Sequence, residues 1–241
     1  MLKAKRILIA AGGTGGHINP ALSVAGYIRS QDPTAEILFV GTADKMEAKL
    51  VPQAGYPIKM IDISGFRRDL SPAGIVHNIK TVSKMFKSSS QAKKIIEDFK
   101  PELAIGFGGY VSGPVIRMAA KLGVPTAIHE QNAYPGVTNK TLAKQVDAVM
   151  LTSMAAEKSL EPKNPCVLTG LPVRAEFFTA DKEHSRLELG VDSRPLILSS
   201  GGSLGAEPIN RAMVELIAAR APKGDCCFIH ATGHSGTWVT D

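Results

Sequence analysis

The chain has 241 residues, 44% hydrophobic and 21% charged, a composition that is typical of a globular protein and excludes a largely disordered one. Its length exceeds one small domain and falls short of two full ones, so we expect one complete domain and part of another. No apolar stretch approaches the ~18 to 20 residues that span a bilayer, which predicts a cytosolic or peripheral protein.

The net charge of +6 is unevenly distributed along the chain. Residues 1–165 hold 21 Lys/Arg and 13 Asp/Glu, a balance of +8, whereas residues 166–241 hold 7 and 9, a balance of −2. The basic part is where we expect an anionic partner, which could be nucleic acid, acidic lipid or a phosphorylated substrate. Aromatic residues make up only 5% and no nucleic-acid-binding motif accompanies the charge, so nucleic acid is not expected.

Short β-rich runs alternate with helical stretches along the first two thirds of the chain. The predicted strands are residues 6–10, 36–40, 57–63, 102–106, 125–129 and 147–151. Continuous apolar strands separated by amphipathic helices indicate a parallel sheet that is covered on both faces. We therefore predict an α/β fold with doubly wound parallel sheets, and assign residues 1–164 to a first domain.

A second series of elements starts near Cys166. It comprises a strand at residues 195–200, a glycine turn at 201–206, a helix at about 207–220 and a strand at 226–230. We assign residues 165–241 to a second domain. A half-domain of this size has too few strands to close its own core, so we expect this domain to be incomplete.

Three predicted strand-to-helix junctions are rich in glycine: residues 10–17, 106–113 and 200–206. In an open parallel sheet such junctions lie at the carboxyl ends of the strands, where ligands bind. Glycine permits a positive φ and a close approach to the ligand, while free N–H groups and the dipole of the following helix favour an anion. A phosphate group is the expected ligand.

Two common nucleotide-binding motifs do not fit these loops. Residues 13–15 begin a GxGxxG pattern, but Ile18 occupies the third glycine position, and the second strand ends at residues 40–42 without an acid for the ribose. No glycine turn is followed by Lys-Ser or Lys-Thr. Binding of NAD is therefore not expected, and hydrolysis of the P-loop type is excluded.

Metal binding is not indicated either. Cys166, Cys226 and Cys227 form no CxxC pair, and their odd number suggests neither a disulfide framework nor a zinc ribbon. His129 and Glu130 do not start an HExxH motif, because Ala133 stands where the second histidine would be. A reducing compartment fits these residues best.

His17 ends the first glycine loop, just before Pro20, a residue that suits the first turn of a helix. An imidazole facing the ligand can take a proton from an attacking hydroxyl near neutral pH. It could equally serve only to hydrogen-bond a phosphate or the loop. Both roles are kept open.

Five motifs together closely resemble the MurG family of N-acetylglucosaminyltransferases. They are GGTGGHINP at residues 12–20, GFGGYVSGP at 106–114, HEQN at 129–132 with PG and NK shortly after it, GLPVR at 170–174 and GGSLGA at 201–206. The resemblance implies two Rossmann-like domains facing a cleft, a GT-B arrangement. It also implies inverting transfer of N-acetylglucosamine from UDP-GlcNAc to the muramoyl 4-hydroxyl of undecaprenyl-pyrophosphoryl-MurNAc-pentapeptide, converting lipid I to lipid II in peptidoglycan synthesis, at the cytoplasmic face of the membrane. No cofactor or metal is implied.

The same resemblance assigns roles to particular residues of this chain. Thr14, Gly15, Gly16 and Asn132 are expected near the reacting sugars and phosphates, and Arg174 and Ser203 at the diphosphate of the donor. His17 becomes the candidate base and Glu130 an alternative base, although Glu130 could instead orient Asn132 or a loop. The expected cradle for the lipid diphosphate is Gly108, Gly109, Tyr110 and Ser112.

Residues 72–87 carry a sequence pattern that suggests contact with a membrane. Apolar residues recur there at helical spacing beside several basic residues, among them Lys84 and Lys87. An apolar stripe edged with lysines can lie on an anionic bilayer, and an ordinary core-facing helix shows the same periodicity. The lipid-bound acceptor of the family favours membrane contact by Ile75, Ile79, Val82, Phe86 and Lys140.

Two other hypotheses fit these motifs. One is a non-catalytic remnant that binds a lipid diphosphate, because the resemblance implies that the segment reading uracil, ribose and the GlcNAc hydroxyls would follow residue 241. The other is a related glycosyltransferase with a glycolipid acceptor. The sequence predicts no oligomeric state.

Overall fold

The computed structural model describes residues 4–63, 71–202, 204–234 and 236–240, with side chains described outside 72–83, 85–86 and 240. The chain divides into two units, Met1–Ala175 and Glu176–Asp241. The sequence-based boundary between residues 164 and 165 falls earlier, because the strand that follows it pairs with the sheet of the first unit.

The first unit is built on a seven-stranded sheet in which all pairings are parallel. Its strands are β1 (Arg6–Ala10), β2 (Glu36–Gly41), β3 (Ile58–Met60), β4 (Leu103–Gly106), β5 (Thr126–Glu130), β6 (Ala148–Leu151) and β7 (Cys166–Leu168), in the order β3-β2-β1-β4-β5-β6-β7. The six predicted strands are confirmed, with β3 shorter than expected. The three-residue edge strand β7 was not predicted, because two of its three residues are solvent-exposed and it carries no long apolar pattern.

Helices cover both faces of this sheet, as expected for a doubly wound fold. They are α1 (Gly15–Gln31), α2 (Glu47–Gln53), α3 (Pro72–Phe99), α4 (Gly109–Lys121) and α5 (Val137–Leu142), followed by a 3-10 turn at Met154–Ser159. Successive residues of β1 point to opposite faces: Ile7 and Ile9 pack with α1, whereas Leu8 and Ala10 pack with α4. Two buried clusters, one on each face, form the core.

The strand order places β1 between β2 and β4, and successive connections leave β1 and β4 in opposite directions. A crevice opens outside the carboxyl ends of the strands at such a switch point, and it is where open α/β sheets bind ligands. The first two glycine loops follow β1 and β4. The topology therefore brings them side by side.

The second unit contains α6 (Glu176–Thr179), α7 (Lys182–Glu188), β8 (Leu196–Ser200), α8 (Glu207–Arg220) and β9 (Cys227–Ala231), with 3-10 turns at Ala221–Lys223 and Thr237–Thr240. Strands β8 and β9 pair in parallel around the connection through α8, as predicted. In the described part of the chain, no helix has both the length and the apolar character needed to cross a membrane.

Candidate active site

A pocket of about 330 Å³ lies at the carboxyl ends of β1, β4 and β5, and we call it the loop pocket. It gathers residues that are far apart in the sequence but were predicted to act together. Of the predicted site residues, Thr14, His17, Gly108, Gly109, Tyr110, Glu130 and Asn132 all line it. The remaining lining residues include Gly12, Gly13 and the segment 136–139.

Helix α1 begins at Gly15, earlier than Pro20 suggested, so His17 belongs to its first turn. Thr14 is the N-cap residue, with extended backbone, and its carbonyl accepts from the N–H groups of His17 and Ile18. The N–H groups of Gly15 and Gly16 therefore have no helical acceptor, as at any helix start. They leave two donors and the positive end of the helix dipole beside the loop pocket.

The imidazole of His17 is oriented by the loop that precedes it. Its Nδ1 lies 3.1 Å from the carbonyl oxygen of Gly12 and 3.3 Å from Oγ1 of Thr14. Because a carbonyl oxygen can only accept, the proton of the neutral ring is assigned to Nδ1, and Nε2 keeps its lone pair. The geometry therefore favours a ring that can accept a proton at Nε2.

The second glycine loop approaches the first so closely that side chains would not fit between them. Gly108 and Gly109 have φ of +93° and +76°, and a Cβ at Gly109 would lie 2.3 Å from the carbonyl oxygen of Gly12. A Cβ at Gly108 would lie 2.9 Å from Cδ2 of His17. Gly109 and Tyr110 open α4, so their N–H groups are again free of helical acceptors and lie at the loop pocket.

Ser112 was predicted to bind the ligand, but the structure places it beneath the loops instead. Its side chain is fully buried, and its Oγ accepts from the N–H of Gly108 at 3.0 Å. The same oxygen lies 2.9 Å from the carbonyl oxygen of Ala10 and 2.8 Å from that of Gly108. The hydroxyl thus ties the two loops together and does not line the loop pocket.

Glu130 is buried at the end of β5, and its carboxylate is engaged by four donors. Oε1 accepts from the backbone and side-chain N–H groups of Asn132, at 2.9 and 3.1 Å. Oε2 accepts from the N–H of Gly136 at 3.1 Å and from Nδ2 of Asn139 at 2.9 Å. These contacts use the acceptor capacity of the carboxylate, and they support a role in holding Asn132 rather than a role as base.

Sequence reasoning missed Asn139, which is 3% exposed and lines the loop pocket. Its Nδ2 also donates to the carbonyl oxygen of His129 at 3.2 Å, so the amide orientation is fixed. Its Oδ1 is buried without a hydrogen-bond partner in the described structure. This oxygen can accept a hydrogen bond from a ligand hydroxyl, and its place in the NK pair after the HEQN motif was the available signal.

Glu47 is a second residue that the sequence did not reveal. Its buried carboxylate accepts from the N–H of Gly13 at 2.9 Å, and from the N–H and Oγ1 of Thr42 at 3.0 and 2.7 Å. A Cβ at Gly12 would lie only 2.5 Å from its Oε1. The N–H of Gly13 therefore anchors the loop and is not a donor for a ligand.

His129 links the end of β5 to the segment after β7. Its Nε2 lies 2.9 Å from the carbonyl oxygen of Gly170, and Nε2 of Gln131 lies 3.2 Å from its Nδ1. Burial lowers the pKa of His129, and the contacts with Gly170 and Glu130 offset this only in part. A neutral imidazole that donates to Gly170 and accepts from Gln131 satisfies both partners.

The other predicted residues lie outside the loop pocket. Arg174 is exposed near the end of the first unit, and Gly15 and Gly16 are at the start of α1 beside the pocket. Lys140 is on α5, with its Nζ 4.2 Å from the ring centroid of Tyr134. Ser203 and the side chains of Ile75, Ile79, Val82 and Phe86 lie outside the described residues.

The sheet and its pocket place the first unit among the doubly wound α/β domains that bind a ligand at the switch point. Among families of known proteins, the glycosyltransferase family 28 N-terminal domain matches residues 7–151. The chain belongs to glycosyltransferase family 28. This membership agrees with the resemblance that the five motifs indicated.

Relatives and a solved structure confirm that resemblance. The chain is 46% identical to the UDP-N-acetylglucosamine--N-acetylmuramyl-(pentapeptide) pyrophosphoryl-undecaprenol N-acetylglucosamine transferase of Alkaliphilus oremlandii (strain OhILAs), over 90% of this chain and 58% of the relative. It is 46% identical to the protein of the same name from Acetivibrio thermocellus, over 95% of this chain and 62% of the relative. The crystal structure of Acinetobacter baumannii MurG is similar with a TM-score of 0.67 and 29% identity, covering 98% of this chain and 63% of that one. The chain thus spans less than two thirds of the length of these proteins.

Proposed function

We propose that this chain acts in the transfer of N-acetylglucosamine from UDP-GlcNAc to the muramoyl 4-hydroxyl of lipid I, giving lipid II for peptidoglycan synthesis. Residues 1–164 would bind the acceptor and residues 165–241 would begin the donor-binding part. The relatives named for this reaction share 46% identity with the chain. The observation that carries the proposal is the loop pocket, in which one histidine and two helix starts meet.

The helix starts suit the diphosphate of the acceptor. Helices α1 and α4 have 17 and 13 residues, and each begins at a glycine of a loop at the pocket. Their first N–H groups, from Gly15, Gly16, Gly109 and Tyr110, can donate to phosphate oxygens with the help of both helix dipoles. A diphosphate offers enough acceptor oxygens to use both sets of donors.

His17 then serves as the base for the acceptor hydroxyl. As the hydroxyl oxygen forms its bond to the anomeric carbon of the donor sugar, its proton passes to Nε2 of His17. The bond from that carbon to the UDP oxygen breaks, and the negative charge moves onto the diphosphate of UDP. Arg174 and Ser203 are proposed to stabilise this charge, and a single displacement of this kind inverts the anomeric configuration.

Asn132 and Asn139 would orient the acceptor sugar. Asn132 is held by Glu130, and the free Oδ1 of Asn139 can accept from a sugar hydroxyl. Since both amides are fixed through the same carboxylate, Glu130 acts as a positioning residue. No cofactor or metal takes part in the proposed reaction.

The lipid acceptor also suggests a place at the cytoplasmic face of the membrane. Val137, which lines the loop pocket, is 76% exposed, and Tyr134, which is 75% exposed, has the Nζ of Lys140 above its ring; we call these three residues the rim of the loop pocket. An aromatic ring, an aliphatic side chain and a lysine are a combination suited to the interface of an anionic bilayer. Helix α3 would add the apolar stripe expected from the sequence.

The reaction is tested with the 241-residue chain, radiolabelled UDP-GlcNAc and a short-chain lipid I analogue. We expect label to appear in the lipid product. Binding of the analogue without any product would leave the non-catalytic alternative, and transfer only to a different glycolipid would favour the related transferase.

A further inference from the structure

A second pocket of about 260 Å³ adjoins the loop pocket, and we call it the α4–α5 pocket. The two pockets share three residues, Tyr110, Val137 and Thr138. The α4–α5 pocket extends from these toward Pro114 and Arg117 on α4, and reaches Ile63 and α3 on its far side. A ligand held in the loop pocket can therefore continue into it.

Most of the surface that the α4–α5 pocket exposes is apolar, although Ser88, Ser89, Thr138 and Thr141 also line it, and its described lining carries a single charge. Ile63, Pro114 and Val137 provide aliphatic surface, and the ring of Tyr110 lies at the boundary with the loop pocket. Arg117 is the one charged side chain among the described lining residues, and no carboxylate faces it there. The pocket thus suits a ligand that is apolar along its length and anionic at one point.

The state of Arg117 also indicates a missing partner. Its Nε is buried and has no hydrogen-bond acceptor in the part of the chain that the structure describes. A buried guanidinium N–H without an acceptor is costly, and arginine pairs especially well with phosphate oxygens. A phosphate that enters from the loop pocket would supply this acceptor.

We propose that the α4–α5 pocket binds the first prenyl units of a lipid diphosphate, with Arg117 contacting the phosphate that carries the lipid. This inference rests on the proposed function, because it requires a diphosphate in the loop pocket. A sugar would leave the apolar walls unused, and a peptide would bring backbone polar groups against them. A prenyl diphosphate can pack hydrocarbon against the apolar walls and offer a phosphate oxygen to the guanidinium of Arg117.

The test uses calorimetric binding of two soluble probes to the 241-residue chain: inorganic pyrophosphate, and geranyl diphosphate, which adds two prenyl units. We expect geranyl diphosphate to bind at least about tenfold more tightly, because only it can bury hydrocarbon in the α4–α5 pocket. Equal affinity for the two probes would overturn the proposal and leave diphosphate binding in the loop pocket intact. Failure of both probes to bind would overturn the diphosphate site and this inference with it.

Two variants locate the prenyl units. A Cβ at Gly113 would lie 3.6 Å from Cγ2 of Thr138, an ordinary contact, so Gly113→Leu can fill the α4–α5 pocket while the lining of the loop pocket is retained. It should abolish the advantage of geranyl diphosphate and change pyrophosphate affinity less than about twofold. Arg117→Gln should weaken geranyl diphosphate by about tenfold, and Arg117→Lys by less.

Lys121→Gln is the matched control, since it removes a charge from the same helix away from both pockets. Its affinities for pyrophosphate and geranyl diphosphate should equal those of the unaltered chain. Unchanged binding of geranyl diphosphate by both Gly113→Leu and Arg117→Gln, with thermal unfolding at the normal temperature, would contradict the assignment. Displacement of geranyl diphosphate by the free pentapeptide of lipid I would also contradict the assignment, and would instead assign the α4–α5 pocket to a peptide carboxylate.

Discussion

At the scale of single residues, the candidate site depends on hydrogen bonds that orient its side chains and its loops. His17 faces the loop pocket because its Nδ1 is held by the carbonyl oxygen of Gly12, and Gly108 has no side chain that would displace the ring. Glu130 and Glu47 are both buried carboxylates that accept from loop N–H groups. Nε2 of His17 is therefore positioned by contacts at Nδ1, and no hydrogen bond from the described residues engages Nε2 itself.

Replacing His17 tests this arrangement directly. We expect His17→Ala to lower turnover of labelled UDP-GlcNAc at least about tenfold, because a positioned general base contributes roughly 100-fold or more. The thermal unfolding temperature should change little, since the ring is partly exposed. His184→Ala, at an exposed histidine of α7, is the control. Turnover close to normal in the His17 variant would leave this residue as a binding group only.

A different prediction concerns His129 and the dependence of the free energy of unfolding on pH. Burial lowers its pKa in the folded chain, so below about pH 6.5 the unfolded chain binds a proton that the folded chain resists. The free energy of unfolding should therefore fall as the pH drops below about 6.5.

Urea unfolding at a series of pH values measures this effect in His129→Gln and in the unaltered chain. The variant should lack the part of the fall that begins below about pH 6.5 and comes from protonation of His129 in the unfolded chain. His184→Gln should keep it, since His184 is exposed. Identical pH profiles for the His129 variant and the unaltered chain would show that this imidazole does not carry the effect.

At the scale of elements, the close approach of the two glycine loops depends on α4 beginning at Gly109. Gly109 is the first residue of α4, and Gly123 follows the C-cap residue of the same helix. Their φ values are similar, +76° and +75°. A Cβ at Gly109 would meet the carbonyl oxygen of Gly12 at 2.3 Å, whereas a Cβ at Gly123 meets nothing within 4 Å. The two positions separate the cost of backbone conformation from the cost of steric contact.

We expect Gly123→Ala to lower the free energy of unfolding by about 1 kcal/mol, the cost of a positive φ alone. Gly109→Ala should cost about 2 kcal/mol more, because the loops must move apart. It should also weaken pyrophosphate binding at least about tenfold, whereas Gly123→Ala should leave binding unchanged. Chemical denaturation and calorimetry measure both effects. Equal costs for the two variants would mean that the loops are not in close contact.

Much of this arrangement is visible in the sequence, because β1 and β4 contain continuous apolar runs and glycine follows each of them. Pro20 predicts a helix start close to residue 19, whereas α1 begins at Gly15 with Thr14 at the N-cap position. The resemblance implied ligand contact for Ser112, yet α4 turns its side chain inward. Glu47 acts through tertiary hydrogen bonds that no local pattern records, whereas Asn139 had one sequence signal, the NK pair after the HEQN motif.

At the scale of the whole molecule, the basic character of residues 1–165 suits a chain that works beside an anionic bilayer. That part has a balance of +8, from 21 basic and 13 acidic residues. We expect the chain to sediment with phosphatidylglycerol vesicles and to release at high salt. Lys140→Glu should weaken this binding by about fivefold or more, because each basic residue near the surface contributes ~1 kcal/mol.

Lys158→Glu makes the same change of charge at an exposed site in the 3-10 turn at Met154–Ser159. Its effect on vesicle binding should be clearly smaller. If both reversals weaken binding equally, the total charge rather than the rim of the loop pocket determines contact with the membrane.

Above all, we propose that the loop pocket binds the diphosphate of a lipid-linked acceptor. The most direct measurement is the change in backbone amide resonances of the 15N-labelled chain during titration with a short-chain lipid I analogue. We predict that the amide resonances of Gly15, Gly16, Gly109 and Tyr110 shift together and saturate at the same ligand concentration. These residues begin α1 and α4, so their N–H groups have no helical acceptor. Unchanged resonances at these four positions, with shifts confined to Glu176–Asp241, would contradict the account.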